Sequence, residues 1–303
     1  MVTTTLLTDS GLETWLVFHR GVDLPDFAAF PLLDDGDGRA LLEEYYREHL
    51  RIAAETGAGL VLETPTWRAS ADWGTRLGYD ADSLDAVNRG AVALLRSLGE
   101  EFPTVELIVS GSLGPRGDGY DPAELLEPDD AAAYHRAQIE SFATAGADRV
   151  TLLTATHEGE AIGVARAAVS VGIPVVIAFT VETDGRLPSG QALHDAIAAV
   201  DRATDGAVLH FGINCAHPDH FTNALEADPG AIGRIGLLRA NASRLSHAEL
   251  DEAEELDDGD PAELAGQYAA LLRRHPHLEV LGGCCGTDAR HVEAIALACL
   301  APR

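Results

Sequence analysis

The stretch Leu278-Glu279-Val280-Leu281-Gly282-Gly283-Cys284-Cys285-Gly286-Thr287-Asp288 joins an apolar run (278–281) to a helical pattern (288–300) through a glycine-flanked pair of cysteines. A short apolar run, a small polar loop and then a helix make one strand–loop–helix unit, and this one leaves two thiols at the mouth of its strand. Seven further runs share that form, at 4–7, 59–62, 106–109, 149–153, 175–179, 208–213 and 235–238. Most are dominated by apolar and β-branched residues, as strands covered on both faces require. Helical patterns lie between them at 40–56, 83–98, 129–145, 160–170, 193–204 and 261–274. Strand and helix alternating eight times along 303 residues is the rhythm of an α/β chain closed into a single-domain (β/α)8 TIM barrel, expected here over residues 1–303. Asp129 and Asp260-Pro261 read as helix starts, and Gly57, Gly99, Gly146 and Gly172 as left-handed stops after helices.

A barrel of this kind carries its chemistry on the loops that follow the strands. Those loops hold Asp9-Ser10-Gly11, Glu63 to Arg68, Ser110 to Tyr120, Thr154 to Glu158, Asn214-Cys215, Asn241 and Cys284-Cys285. Cys215 closes the sixth run as the cysteine pair closes the eighth. Three thiols at strand ends suggest one metal site, since zinc takes thiolates tetrahedrally and a catalytic site keeps three protein ligands and one open position. Spacing alone equally allows a vicinal disulfide or inert reduced thiols, because adjacent cysteines are not the two-residue-gap zinc knuckle. Cys299, among Ile295, Ala296, Leu297 and Leu300, reads as core.

Composition narrows the function. The formal charge of −28 argues against nucleic acid and anionic membrane surfaces as partners. All 21 basic residues are arginine, so lysine Schiff-base and lysine-nucleophile chemistry are excluded. No apolar stretch reaches the ~20 residues of a membrane span, the N-terminal residues do not read as a leader, and four cysteines are too few for a disulfide framework. Together these lead to the expectation of a cytoplasmic protein. His157, His210 and His217 are metal-competent, but a histidine between apolar neighbours such as Leu209 and Phe211 is more often a core residue. Gly114 to Gly119 lacks the lysine that a phosphate loop needs.

With Gly283-Cys284-Cys285-Gly286, Asn214-Cys215, Asp9-Ser10-Gly11, the segment from Thr64 to Ala69, and Gly114-Pro115 with Asp118-Gly119-Tyr120, the chain resembles the homocysteine S-methyltransferase family along nearly its whole length. The resemblance implies a zinc-dependent barrel that moves a methyl group from a small sulfonium or quaternary ammonium donor to the thiol of homocysteine, giving methionine. S-methylmethionine, S-adenosylmethionine and betaine are donors of that type. It implies Zn2+ on Cys215, Cys284 and Cys285, and substrate contacts from Asp9, Ser10, Gly11, Glu63, Thr64, Trp67, Asn214 and Asn241. Trp67 and Tyr120 are expected to offer ring faces to a cationic donor. Two positions depart from the family. Ser10 stands where a glycine is usual, and Leu153 stands where the family's fourth strand ends in a glutamate that holds the acceptor's amino group. Leu153 opens one alternative, the same chemistry on a different thiol or selenol, with Glu63, Glu158 and Glu13 as replacement acids for an amino group. A zinc-binding or thiol redox-sensing module is the alternative of another class.

Overall fold

A computed structural model describes residues 5–120, 125–227, 230, 233–253 and 255–300. Eight parallel strands close into a barrel in chain order: β1 (Leu6–Thr8), β2 (Gly59–Glu63), β3 (Leu107–Leu113), β4 (Arg149–Ala155), β5 (Val175–Phe179), β6 (Phe211–Asn214), β7 (Ile235–Ala240) and β8 (Val280–Gly283). Behind them stand α1 (Gly36–Thr56), α2 (Ala81–Glu100), α3 (Pro128–Ala145), α4 (Glu158–Val171), α5 (Leu193–Thr204), α6 (Pro218–Ala227), α7 (Pro261–Arg274) and α8 (Ala289–Cys299). Shorter helical turns lie in the long connection from β1 to α1 and at Ala71–Arg76 and His247–Asp251.

Each helix boundary has a local cause. Asp80 and Ser83 form a reciprocal capping box at the start of α2, as do Asp288 and His291 at α8. Asp260 accepts from the Ala262 and Glu263 amides ahead of α7, whose first residue is Pro261. Caps of this kind contribute about 1 kcal/mol each. Gly57, Gly146 and Gly172 end their helices at φ 71°, 80° and 81°. Gly99 does not: α2 runs on through it to Glu100, and what position 99 requires is room, since a Cβ there would meet Leu107 Cδ2 at 2.5 Å. The helix read from Asp129 begins one residue earlier, with Pro128 at its first position after Glu127. Residue 4 of the first run lies outside the described residues, among which the first strand is Leu6–Thr8, and the sixth strand starts at Phe211 rather than 208.

Alternation along the strands sorts their side chains into two sets. Leu60, Leu62, Leu152, Ile177, Leu238 and Leu281 face the helices in the main core. Val61, Leu153, Val176, Ala178, Leu237 and Val280 pack on one another inside the barrel. By the same period Glu63 follows Val61 inward, Arg239 follows Leu237, and Arg149 precedes Leu153 by four positions. Register places Glu63 beside Ser110 and Ser110 beside Arg149, while Asn214 lies beside Arg239 and Arg239 beside Gly282. Glu63, Asn214 and Arg239 therefore set a polar layer at the C-terminal mouth, while Arg149, the first residue of β4, reaches Glu63 from deeper in the barrel.

Candidate active site

Three sulfurs meet at that mouth. Cys215 follows β6, Cys284 and Cys285 follow β8, and the Cys215 Sγ lies 2.8 Å from Cys284 Sγ and 3.5 Å from Cys285 Sγ. Among the described residues, this is the one group of three or more His, Cys, Asp or Glu side chains whose ligand atoms lie close enough together, within 4.8 Å, to hold a metal ion. His157 instead caps α4 by accepting from the Glu160 amide, His210 is packed against Gly236, and His217 accepts from the Asp219 amide. Cys299 sits part-buried on α8, against the main core as expected.

The backbone around the thiols is bent, and every bend has a partner holding it. Cys215 has φ 55°, a left-handed conformation that costs a non-glycine residue of order 1 kcal/mol or more. Its carbonyl accepts from Asn241 Nδ2 at 3.1 Å and lies 2.6 Å from His247 Nε2, whose other ring nitrogen lies 3.0 Å from Glu182. Thr154, at φ 63°, is another such residue, and the β4–β5 register shifts between Leu152 and Ala155. Asn214 clamps it: its Oδ1 accepts from the Thr154 amide at 2.8 Å and its Nδ2 donates to Thr154 Oγ1 at 3.0 Å. Two glycines complete the cradle. A Cβ on Gly11 would meet the Cys284 carbonyl oxygen at 2.5 Å, and Gly286 takes φ 78° directly after the cysteine pair. Hydrogen bonding from Cys215 and Cys285, with the positive charge of Arg239, holds the Cys284 thiol well below the usual thiol range.

The pocket over the sulfurs is lined by Asp9, Ser10, Gly11, Glu63, Thr64, Trp67 and Asn214, so seven of the eight expected substrate positions share one cavity with the thiols. Asn241 is the exception; it lies under Cys215 and faces the neighbouring cleft. The side chains behave differently from one another. Ser10 points away from the sulfurs, its hydroxyl 2.9 Å from His49 Nε2 and 3.2 Å from the Tyr45 hydroxyl, which also accepts from the Ser10 amide. The serine that replaces a glycine is thus absorbed by α1. Thr64 accepts from the Ser112 amide at 2.9 Å and pairs with Thr66 at 2.6 Å. Asp9 is bound to Arg239 at 2.6 Å and accepts from the Glu63 amide at 3.3 Å; burial pushes its carboxyl up to about 7 against the pull of Arg239. Burial also works against the Arg239 charge, but Asp9, Cys284 and Glu63 outweigh it. Glu13 borders the same pocket, raised to about 7 by burial, whereas Glu158 is bonded to Gln191 away from it.

Arg239 and Arg149 escaped the sequence reading, although a lone arginine inside an apolar strand was a visible signal. His247 escaped too; nothing in Ser246-His247-Ala248 distinguishes it from a surface histidine. The ring faces of Trp67 and Tyr120 are also less open than expected. Arg68 covers Trp67 at 4.1 Å from the ring centroid, and His247 lies against Tyr120 at 4.2 Å. The Tyr120 hydroxyl instead faces the thiols, 3.1 Å from Cys215 Sγ and 4.0 Å from Cys285 Sγ. Beside Cys285 a wider cleft opens, sharing Phe27, Trp67 and Tyr120 with the pocket and edged by Asp23, Asp251 and Asp257.

Comparison with known proteins agrees with this architecture. The chain aligns with the homocysteine S-methyltransferase of Escherichia coli at 25% identity, covering 96% of this chain and 94% of that protein. It aligns with the methionine synthase of Mycobacterium leprae at 27% identity over 85% of this chain, but spans only about a fifth of that longer protein, 21%. The metallated crystal form of the E. coli homocysteine methyltransferase MmuM superposes with TM-score 0.77 at 24% identity, covering 97% of this chain and 96% of that one, which establishes the shared fold. The sequence model described as homocysteine S-methyltransferase matches residues 6–299. The chain therefore belongs to the homocysteine S-methyltransferase family, a family of S-methyltransferase enzymes.

Proposed function

We propose that this protein transfers a methyl group from a small cationic donor to the thiol of homocysteine, giving methionine, with Zn2+ held by Cys215, Cys284 and Cys285. The observation that carries the proposal is the gathering of three sulfurs, from loops 69 and 70 residues apart, at the floor of one pocket. A zinc ion fits this donor set. Its tetrahedral thiolate sites have S···S edges of about 3.8 Å, against 3.5 and 2.8 Å here, and three soft ligands leave one position for a fourth. When bound, zinc supplies Lewis acidity that makes an acceptor thiolate available at neutral pH.

The chain's own residues do the rest. Asn214 donates toward Cys284 Sγ at 3.8 Å, and Tyr120 Oη lies beside Cys215 Sγ, so the sulfurs keep their places. Gly11, Thr64 and Leu153 shape the cavity in which the acceptor's carbon chain lies. The acidic cleft beside Cys285 receives the donor, because carboxylates at its edge favour a cation. In the transfer step a lone pair on the acceptor sulfur forms the new S–CH3 bond while the donor's bond from methyl to S+ or N+ breaks. The donor leaves neutral and no proton moves in that step. Donors of the S-methylmethionine, S-adenosylmethionine or betaine type all satisfy this balance.

One observation favours a second reading. Leu153 lines the pocket where the family places a glutamate, which suits a thiol or selenol without an amino group. A donor-by-acceptor screen read by mass spectrometry, run alongside metal analysis and repeated on Cys285→Ala, tests both readings. Methionine from homocysteine with about one zinc per chain, both lost in the variant, is the expected result. Comparable activity in Cys285→Ala would overturn the metal-dependent mechanism, and methylation only of thiols lacking an amino group would replace the acceptor.

A further inference from the structure

Among the described residues, Glu63 is the one buried carboxylate with both oxygens left without a hydrogen bond. Its side chain is about 5% exposed, and neither carboxylate oxygen has a hydrogen-bond partner. The nearest cation is Arg149, whose Nη2 stands 3.9 Å from Oε1 and is itself without a hydrogen bond. Burying a carboxylate so is unfavourable unless something completes its shell. Its backbone, by contrast, is fixed on both sides, the carbonyl accepting from the Tyr46 hydroxyl at 2.9 Å and the amide donating to Asp9. The carboxylate is therefore held in place at the end of β2, lining the pocket above the thiols, with acceptor capacity unspent.

The other acids of the pocket are engaged. Asp9 is paired with Arg239 at 2.6 Å, and Glu13 accepts from its own backbone N–H. The β4 side offers only Leu153, packed with Val61, Val176 and Ala178. An acceptor carrying an ammonium group would thus meet one uncommitted carboxylate beside the sulfurs.

Resting on the thiol-acceptor reading above, we infer that Glu63 is the specificity-determining residue for the acceptor, pairing with the ammonium group of an aminothiol carboxylic acid in place of an acid on β4. The ammonium donates to Glu63 from above while Arg149 balances the same carboxylate from below. A charged hydrogen bond of this kind corresponds to about ten- to hundred-fold in affinity. Leu153 then serves as an apolar wall for the methylene groups, so its loss of charge does not remove the amino acid from the substrate class.

The test is calorimetric titration of the zinc-loaded protein, without methyl donor, with homocysteine and with 4-mercaptobutyric acid, which is homocysteine lacking its amino group. Wild-type protein is expected to bind homocysteine at least about tenfold more tightly. In Glu63→Gln that preference should collapse: homocysteine weakens by about tenfold or more while 4-mercaptobutyric acid stays within about twofold. Equal affinity of the wild type for the two thiols overturns the inference while leaving the thiol site standing, and needs no variant to fold. Parallel weakening of both thiols in Glu63→Gln, or undiminished discrimination, assigns Glu63 to a water-completed ion pair with Arg149 and likewise overturns it. Failure of both thiols to bind the wild type defeats the acceptor reading itself.

Discussion

The two sides of the barrel mouth are built on opposite plans. Around the sulfurs, Cys215 after β6 and Thr154 of β4 carry left-handed backbone, yet each is secured, by Asn241 and His247 in one case and by Asn214 reaching across the mouth in the other. Around Glu63 at the end of β2 the backbone is ordinary, but neither its carboxylate oxygens nor Nε and Nη2 of Arg149, its ion-pair partner at 3.9 Å, have hydrogen bonds, and Leu153 closes the wall without a polar group. Strain that is fully held marks a preformed element, and polar capacity left over marks a place for a ligand. The sulfur side is finished by folding; on the inference above, the carboxylate side would be finished by substrate.

The largest expected effect separates the two sides by removing the metal. Chelation should reduce methyl transfer by a factor of about 1,000 or more, because thiolate supply at neutral pH is lost, while near-ultraviolet circular dichroism of the rim tryptophans and tyrosines stays unchanged. A collapse of that signal would show that the sulfur side is not preformed.

A smaller effect concerns the β1 rim, which links the two sides through Ser10. His49, bonded to Ser10 and to the Tyr45 carbonyl, is lowered by burial from 6.5 to about 4. Between those values His49 binds more protons in the unfolded chain than in the folded one, so its contribution to stability is present above pH 6.5 and lost as pH falls toward 4. Asp9 and Glu13, raised to about 7, act in the opposite sense over the same window, so the share of His49, about 3 kcal/mol across the window, is read as the difference between wild type and His49→Gln in urea unfolding. A pH dependence unchanged in His49→Gln would contradict the neutral, buried role of His49.

Smaller again is Asn214→Ala. Removing the clamp leaves the Thr154 amide buried and unpaired beside a strained backbone, which should cost about 2 kcal/mol in the same measurement. Because Asn214 also reaches toward Cys284, transfer should fall with it; full activity would mean that Thr154 holds its bend unaided.

Much of this was legible in the residues. Eight apolar runs separated by helical patterns named the barrel, since periodicity 2 or 3.6 is written directly in the chain, and three segments, 175–179, 193–204 and 261–274, match their elements residue for residue. Helix ends were readable where a cap is local, as at Asp260-Pro261 and Gly57. Gly99 was misread because its requirement comes from Leu107 of the next strand, and the start of β6 was misplaced because an apolar run does not record where pairing begins.

Sequence alone also determined that thiols stand at the ends of two strands, because strand order in a barrel fixes which residues reach the mouth. Only the tertiary structure decided that Cys215 and Cys284 lie 2.8 Å apart, that Arg239 takes Asp9 and that Glu63 is left over. The physical reason is range: periodicity, capping and loop placement depend on neighbours a few positions away. The partner of a buried charge is chosen by barrel closure, which brings residues 9 and 239 together and gives nearby sequence no part in the choice.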